Sequence, residues 1–149
     1  MYMLQSEASF DAAHFLKGYD GKCKNIHGHR WRIVVRISGD SLIASGPKKG
    51  MLIDFGDLKS ALTTLADRFD HALLVEEGTL KEKTMEALRE EDFRMVFLPF
   101  RTTAENFSRY FFQQLTEMGL TPQEVAVYET PNNCAVYTGG KEAPQIVQL

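Results

Sequence analysis

The sequence predicts one α+β domain built on an antiparallel sheet, and three observations carry that prediction. Two early segments alternate apolar and polar residues with the period of a strand. Two later segments carry apolar residues at helical spacing. Two short strands then close the chain, joined by a tight loop. The expected order is strand, strand, helix, helix, strand, strand. No internal repeat, low-complexity tract or linker divides residues 1–149, so a single domain with four strands and two helices is expected.

Residues 2–14 set Tyr2, Leu4, Ser6, Ala8 and Phe10 on one face and Gln5, Glu7 and Ser9 on the other. In residues 29–37 the same alternation places His29, Trp31, Ile33, Val35 and Ile37 together. Gly46-Pro47-Lys48-Lys49-Gly50 reads as a turn. Asp54 or Asp57 can cap a helix whose stripe is Leu58, Leu62, Leu65, Ala66 and Phe69, ending near Asp70-His71. Residues 76–92 are charged with weak helical character, and 93–100 form a short apolar segment. Residues 76–101 read as surface, with a loop over the site as the alternative. Thr102-Thr103-Ala104-Glu105 fits a capping box before the stripe Phe107, Tyr110, Phe111, Leu115 and Met118, closed by Gly119 and Pro122. Strands 125–129 and 135–138 flank a hairpin loop at 131–133.

Composition narrows the function. With 149 residues the chain can bury a core without staples. A hydrophobic fraction of 44%, a charged fraction of 25% and a net charge of -3 describe an ordinary globular protein. A pI near 5.8 argues against nucleic acid or anionic membrane as partners. Two cysteines cannot form a disulfide framework. The first residues lack a signal-peptide layout, no stretch is long enough to span a bilayer, and a cytoplasmic location is expected.

The chemistry gathers at histidine. His27-Gly28-His29 on a strand would put two imidazoles on one face, about 7 Å apart along the backbone. His14, from the neighbouring strand, could complete a facial set. Three imidazoles with an open fourth position describe a catalytic zinc site, although iron, copper or nickel also accept imidazole. As single residues the three are equally read as ordinary polar side chains. Gly28 would let the backbone bend or approach a ligand.

Cys23 lies in the polar stretch Gly21-Lys22-Cys23-Lys24-Asn25. It reads either as a small hydrophobe or as a thiolate activated by a nearby cation. Cys134, at a strand start, reads as the former. Asp70-His71 can simply end a helix, or the carboxylate can orient the imidazole for proton relay. Glu129, at a strand end, is either solvated or an acceptor for paired N–H donors of a guanidine-like ring edge. Glu105 already has a place in the capping box.

Taken in order, Phe10-Asp11-Ala12-Ala13-His14, Cys23-Lys24-Asn25-Ile26-His27-Gly28-His29, Ile53-Asp54-Phe55, Asp70-His71, Thr102-Thr103-Ala104-Glu105-Asn106 and Tyr128-Glu129-Thr130 resemble the 6-pyruvoyl-tetrahydropterin synthase family. The resemblance covers about residues 2–140 and is nearest to the 6-carboxytetrahydropterin synthase branch, because three residues separate Cys23 from His27.

The resemblance implies a tunnelling fold, a four-stranded antiparallel sheet with two helices on one face that closes into a barrel by oligomerisation. It implies zinc on His14, His27 and His29, with Cys23, Asp70 and His71 as the catalytic group. Glu129 and Thr103 would bind the pterin, with Glu105 carried beside them. The implied substrate is 7,8-dihydroneopterin triphosphate, and the implied assembly is a homohexamer, two stacked trimers with active sites between subunits. The carboxy-forming branch would release acetaldehyde and triphosphate in queuosine biosynthesis. Two alternatives stand beside it: a pyruvoyl-forming synthase that eliminates triphosphate without side-chain cleavage, and a non-catalytic module that binds zinc or pterin. Arg101-Thr102 departs from the Asn-Pro of many relatives, and the 76–101 segment is longer than the compact queuosine enzymes need.

Overall fold

The computed structural model describes residues 1–140. The elements run β1 (Tyr2–His14), β2 (His27–Gly39), α1 (Phe55–Asp67), β3 (Ala72–Glu76), α2 (Glu82–Glu90), β4 (Met95–Leu98), α3 (Ala104–Glu117), β5 (Pro122–Thr130) and β6 (Asn133–Tyr137), with one 3-10 turn at Lys22–Lys24. They form one sheet in the order β4-β3-β1-β2-β5-β6. Among the described residues, no helix is long and apolar enough to cross a membrane.

The expected four antiparallel strands are present as β1, β2, β5 and β6. The expectation of four strands, two helices and a wholly antiparallel sheet is corrected at 72–98. There the chain adds β3 and β4, both paired parallel, and a third helix, α2. Parallel strands need a crossover between them, and α2 lies in that connection. The sheet is thus extended by two strands beyond β1: β3 just before the segment read as surface, and β4 within it.

Alternation in β1 and β2 decides which face is covered. Phe10, Ala12, His14, Trp31, Ile33, Val35 and Ile37 are buried on one face, beneath α1 and α3. The helices contribute Leu58, Leu62, Leu65, Phe107, Phe111 and Leu115. Phe10 stacks on Trp31 with ring centroids 6.1 Å apart, and Phe69, Phe107 and Phe111 close around Phe10. The opposite face of the sheet carries cross-strand ion pairs: Arg30–Asp11 at 3.0 Å, Arg32–Glu7 at 3.0 Å and Arg36–Glu124 at 2.7 Å.

The caps refine the expected boundaries. Asp54 is the N-cap of α1, accepting from the Gly56 amide at 2.7 Å. The N-cap of α3 is Thr103 rather than Thr102, which puts Asn106, not Glu105, at the third helical position. The expected capping box is not formed: the Thr103 hydroxyl accepts from the Asn106 amide, but the Asn106 side chain and the Thr103 amide both donate to the Arg101 carbonyl, while buried Thr102 faces His14. Gly119, at φ 85°, ends α3 in the left-handed region, and the Leu120 amide reaches back to the Leu115 carbonyl at 3.0 Å.

Candidate metal centre and acid–base pair

Strand register assembles the first cluster. In the β1–β2 ladder His14 stands opposite His27 and Ala12 opposite His29, so all three imidazoles leave one end of one hairpin on the covered face. Trp31 lies beneath them, its ring centroid 5.0 Å from that of His14 and 5.4 Å from that of His29. β5 lies beside β2 and brings Glu129 to the same place. One donor atom from each of His14, His27, His29 and Glu129 lies within 4.8 Å of every other, so the group could hold a metal ion.

The hydrogen bonds fix which ring nitrogens are free. His14 Nδ1 faces the Thr102 carbonyl at 2.8 Å and its hydroxyl at 3.1 Å. His27 Nδ1 faces the Asn25 carbonyl at 2.7 Å. A carbonyl can only accept, so each Nδ1 carries the proton and each Nε2 presents a lone pair. Those two Nε2 atoms lie 3.1 Å apart, and the Nε2 of His29 is buried without a hydrogen-bond partner. Lone pairs facing at that distance repel unless a cation or proton sits between them. Donors of a tetrahedral ion bound at about 2.0–2.1 Å would be roughly 3.3–3.4 Å apart. Glu129 Oε1 lies 3.3 Å from His14 Nε2 and 3.4 Å from His29 Nε2. The donor set fits a small divalent ion.

Electrostatics agree with that arrangement. Burial pushes the His29 imidazole below its ordinary pKa, as do the neighbouring His14 and His27, against the opposing pull of Glu129. Hydrogen bonding from His14, and then charge on the neighbouring rings, would hold the Glu129 carboxyl below its usual range in spite of burial whenever those rings are protonated at Nε2 as well. Gly28 sits in regular β-ladder, where an added Cβ would find ordinary contact distances, the nearest 3.7 Å. Its expected role as a bend is not needed here.

Cys23, Thr103, Glu105 and Glu129 line one cavity of about 310 Å³, together with Tyr19 and Cys134. The structure thus unites four of the sequence-predicted residues beside the histidines. Glu105 is free to face this cavity because the shifted cap relieves it of the expected capping bond.

Asp70 and His71 lie elsewhere. His71 lines a cavity of about 670 Å³ that also reaches His29 of the histidine cluster, with Asp11, Arg30, Leu88, Phe93 and Arg94 around it, and Cys23 is not part of it. The side chain of His71 is 79% exposed. Its Nδ1 meets Asp70 Oδ2 at 2.8 Å, while Asp70 Oδ1 accepts the Asp11 amide at 2.8 Å. The Asp11 amide, and then the His71 ring, hold the Asp70 carboxyl below its usual range. The ionised carboxylate therefore accepts a hydrogen bond from the Nδ1–H of His71, which leaves Nε2 as the unprotonated ring nitrogen. His71 adopts φ 54°, which for a residue with a Cβ costs of order 1–3 kcal/mol and persists only where neighbours over-determine it. Leu88, Phe93 and Arg94 come from the segment read as surface, so that segment also walls the cavity of His71.

Sequence reasoning missed Thr102 and Asn25, which orient His14 and His27. The shorter contact of each is a backbone carbonyl, which no side-chain pattern announces, and Thr102 adds its hydroxyl.

Three imidazoles stand at the end of a β-hairpin, two of them with tautomers fixed by carbonyls, beside a cavity lined by two thiols and two carboxylates, and this centre on an α+β sheet could hold a metal ion. The family model described as 6-pyruvoyl tetrahydropterin synthase matches residues 3–140, and the chain belongs to that family of pterin synthases. It is 41% identical over 140 residues to the 6-carboxy-5,6,7,8-tetrahydropterin synthase of Haemophilus influenzae, covering 92% of this chain and 99% of that one. Identity to the Synechocystis protein of the same name is 31% over 146 residues, covering 97% and 98%. Among solved structures, the 6-pyruvoyl tetrahydropterin synthase of Caenorhabditis elegans superposes with a TM-score of 0.65 at 26% identity, covering 93% of this chain and 96% of that one. An uncharacterised Wolinella succinogenes protein shares the fold with a TM-score of 0.74 at 16% identity, covering 93% and 98%.

Proposed function

We propose that the protein converts 7,8-dihydroneopterin triphosphate to 6-carboxy-5,6,7,8-tetrahydropterin, with release of acetaldehyde and triphosphate, in the queuosine pathway. The observation that carries this reading is the cavity shared by Cys23, Thr103, Glu105 and Glu129 against the histidine cluster. Support for the carboxy-forming branch comes from the Cys23 to His27 spacing and from the names of the Haemophilus and Synechocystis relatives.

His14, His27 and His29 would hold zinc. Bound there, zinc supplies Lewis-acid polarisation of the hydroxyls on the substrate side chain. Glu129 and Thr103 receive the pterin edge, the carboxylate accepting the paired N–H donors of the amino-pyrimidinone ring. Glu105 lines the same space. Cys23, as the thiolate, removes a proton from the side chain. His71, oriented by Asp70, moves the second proton at its unprotonated Nε2.

We infer that this division of labour draws on two copies of the chain. His71 and Cys23 line different cavities, His29 reaches the one that holds His71, and an exposed Asp70–His71 pair suits a site completed by a neighbouring subunit. The proposed assembly is a homohexamer of two stacked trimers.

Product analysis tests the reaction. Incubation of the zinc-loaded protein with dihydroneopterin triphosphate should yield carboxytetrahydropterin and acetaldehyde in equal amounts. Triphosphate release without acetaldehyde would instead establish the pyruvoyl-forming reaction. Absence of any product, with pterin binding retained, would leave a binding module.

A further inference from the structure

The turn that presents His71 begins where α1 runs out. The amides of Arg68, Phe69 and Asp70 still find the carbonyls of Leu65 and Ala66. The last carbonyls of a helix have no intrahelical donor, and a basic side chain can satisfy them. Arg94 does so from outside the helix. Its Nη2 donates to the Arg68 carbonyl at 2.8 Å and the Asp67 carbonyl at 3.3 Å, and its Nη1 donates to the Asp70 carbonyl.

The Asp70 carbonyl and the His71 amide belong to one rigid peptide plane. Arg94 holds the carbonyl end of that plane. The Asp11 carbonyl holds the other end, accepting the His71 amide at 2.7 Å. The backbone of Arg94 takes part as well, since its carbonyl accepts the Leu73 amide at 2.9 Å, two residues beyond His71. The left-handed conformation of His71 is thus clamped from β1 on one side and from the start of β4 on the other. Charged groups around the imidazole are Asp70, Asp11, Arg30 and Arg94, with Arg30 already bridged to Asp11 at 3.0 Å.

We propose that Arg94 is a positioning residue, whose guanidinium locks the Asp70–His71 peptide and so aims the imidazole for proton transfer. The proposal rests on the reading of Asp70–His71 as the acid–base pair. A planar fork of donors reaches three carbonyls at once, which a lysine ammonium on a flexible stem does not reproduce.

The test compares Arg94→Ala, Arg94→Lys and His71→Asn in the zinc-loaded protein, with turnover measured beside ring nitrogen NMR of histidine-labelled samples. Misplacing a catalytic group by about 1 Å costs on the order of 100-fold. Arg94→Ala should lower kcat roughly 10- to 100-fold with KM changed less than about twofold. The His71 ring, protonated at Nδ1 in the parent, should become a mixture of tautomers. Arg94→Lys should resemble Arg94→Ala, and free guanidinium ion, against potassium at equal ionic strength, should restore part of the alanine variant's kcat. Parent-like kcat with a parent-like His71 tautomer in Arg94→Ala would overturn the proposal. His71→Asn separates the two readings. If it keeps parent activity, the acid–base assignment fails, and the tautomer signal alone then decides for or against Arg94. Should Arg94→Ala not fold, the lysine variant faces the same two outcomes.

Discussion

The histidine cluster and the Asp70–His71 turn use the same side chain in opposite ways. His14 is fully buried, and the free nitrogens of the cluster point at one another. His71 stands 79% exposed on a strained turn. In both places a hydrogen bond at Nδ1 sets the tautomer, through carbonyls in the cluster and a carboxylate at the turn. The first arrangement gathers ligands within one chain. The second leaves one imidazole accessible. The difference teaches that the same Nδ1 hydrogen bond can serve to gather ring nitrogens inward or to steady one at the surface.

The largest expected effect breaks this comparison directly. Cys23→Ala and His71→Asn should each cut turnover by about 100- to 10,000-fold when prepared alone. Mixing the two after dissociation and reassembly should return roughly a quarter of parental activity, because sites combining an intact Cys23 with an intact His71 from a second copy are then rebuilt. Recovery no greater than the sum of the separate variants would place both groups in one chain's site.

A smaller effect sharpens the account of the cluster. Thr102→Val keeps the carbonyl that orients His14 and removes the hydroxyl at 3.1 Å. Loss of an outer partner of a metal-binding histidine costs up to about 10- to 100-fold in metal affinity. Since the shorter bond survives, the low end of that range is expected from competition with a chelator. In the same titration Glu129→Gln distinguishes two uses of that carboxylate. A raised KM with unchanged zinc affinity supports the pterin edge, whereas loss of zinc makes Glu129 a fourth protein ligand, as in closed structural sites.

The smallest effect concerns stability and pH. The Asp70 carboxyl is held below its ordinary value of 3.8 in the folded protein, first by the Asp11 amide. A depressed carboxylate contributes stability that is present above the unfolded-state value and lost as pH falls through the folded one. Asp70→Asn should therefore be less stable than the parent in urea at pH 6–8. The gap should close as pH drops below about 4. A gap that is constant from neutral to acid would show that ionisation of Asp70 contributes nothing.

How much of this was legible in the sequence follows from where the information sits. β1, β2 and α3 were readable because each buries one face and solvates the other, leaving a clean period. β3 and β4 were not. Ala72-Leu73-Leu74-Val75 is a short parallel strand, and such runs carry no alternation to separate them from a piece of helix. α2 buries none of its residues and its N-cap makes no side-chain bond, so neither a stripe nor a cap marks it. At the site, His14, His27 and His29 were legible because imidazole chemistry is rare and spaced. Thr102 was visible but misread as a helix cap, one residue from the true cap at Thr103. Asn25 and the targets of Arg94 were illegible for one reason: they contribute main-chain oxygens, which every residue type possesses.

The opposed lone pairs of His14 and His27 have a further consequence for how the centre is filled. At 3.1 Å the two lone pairs repel, and a nitrogen-loving cation between them would relieve that repulsion. With the Nδ1 protons of both rings committed to carbonyls, such an ion would meet them in the tautomer it needs. Imidazole alone ranks the divalent ions only by their general affinity order, so the choice among them would follow which ion is in free supply.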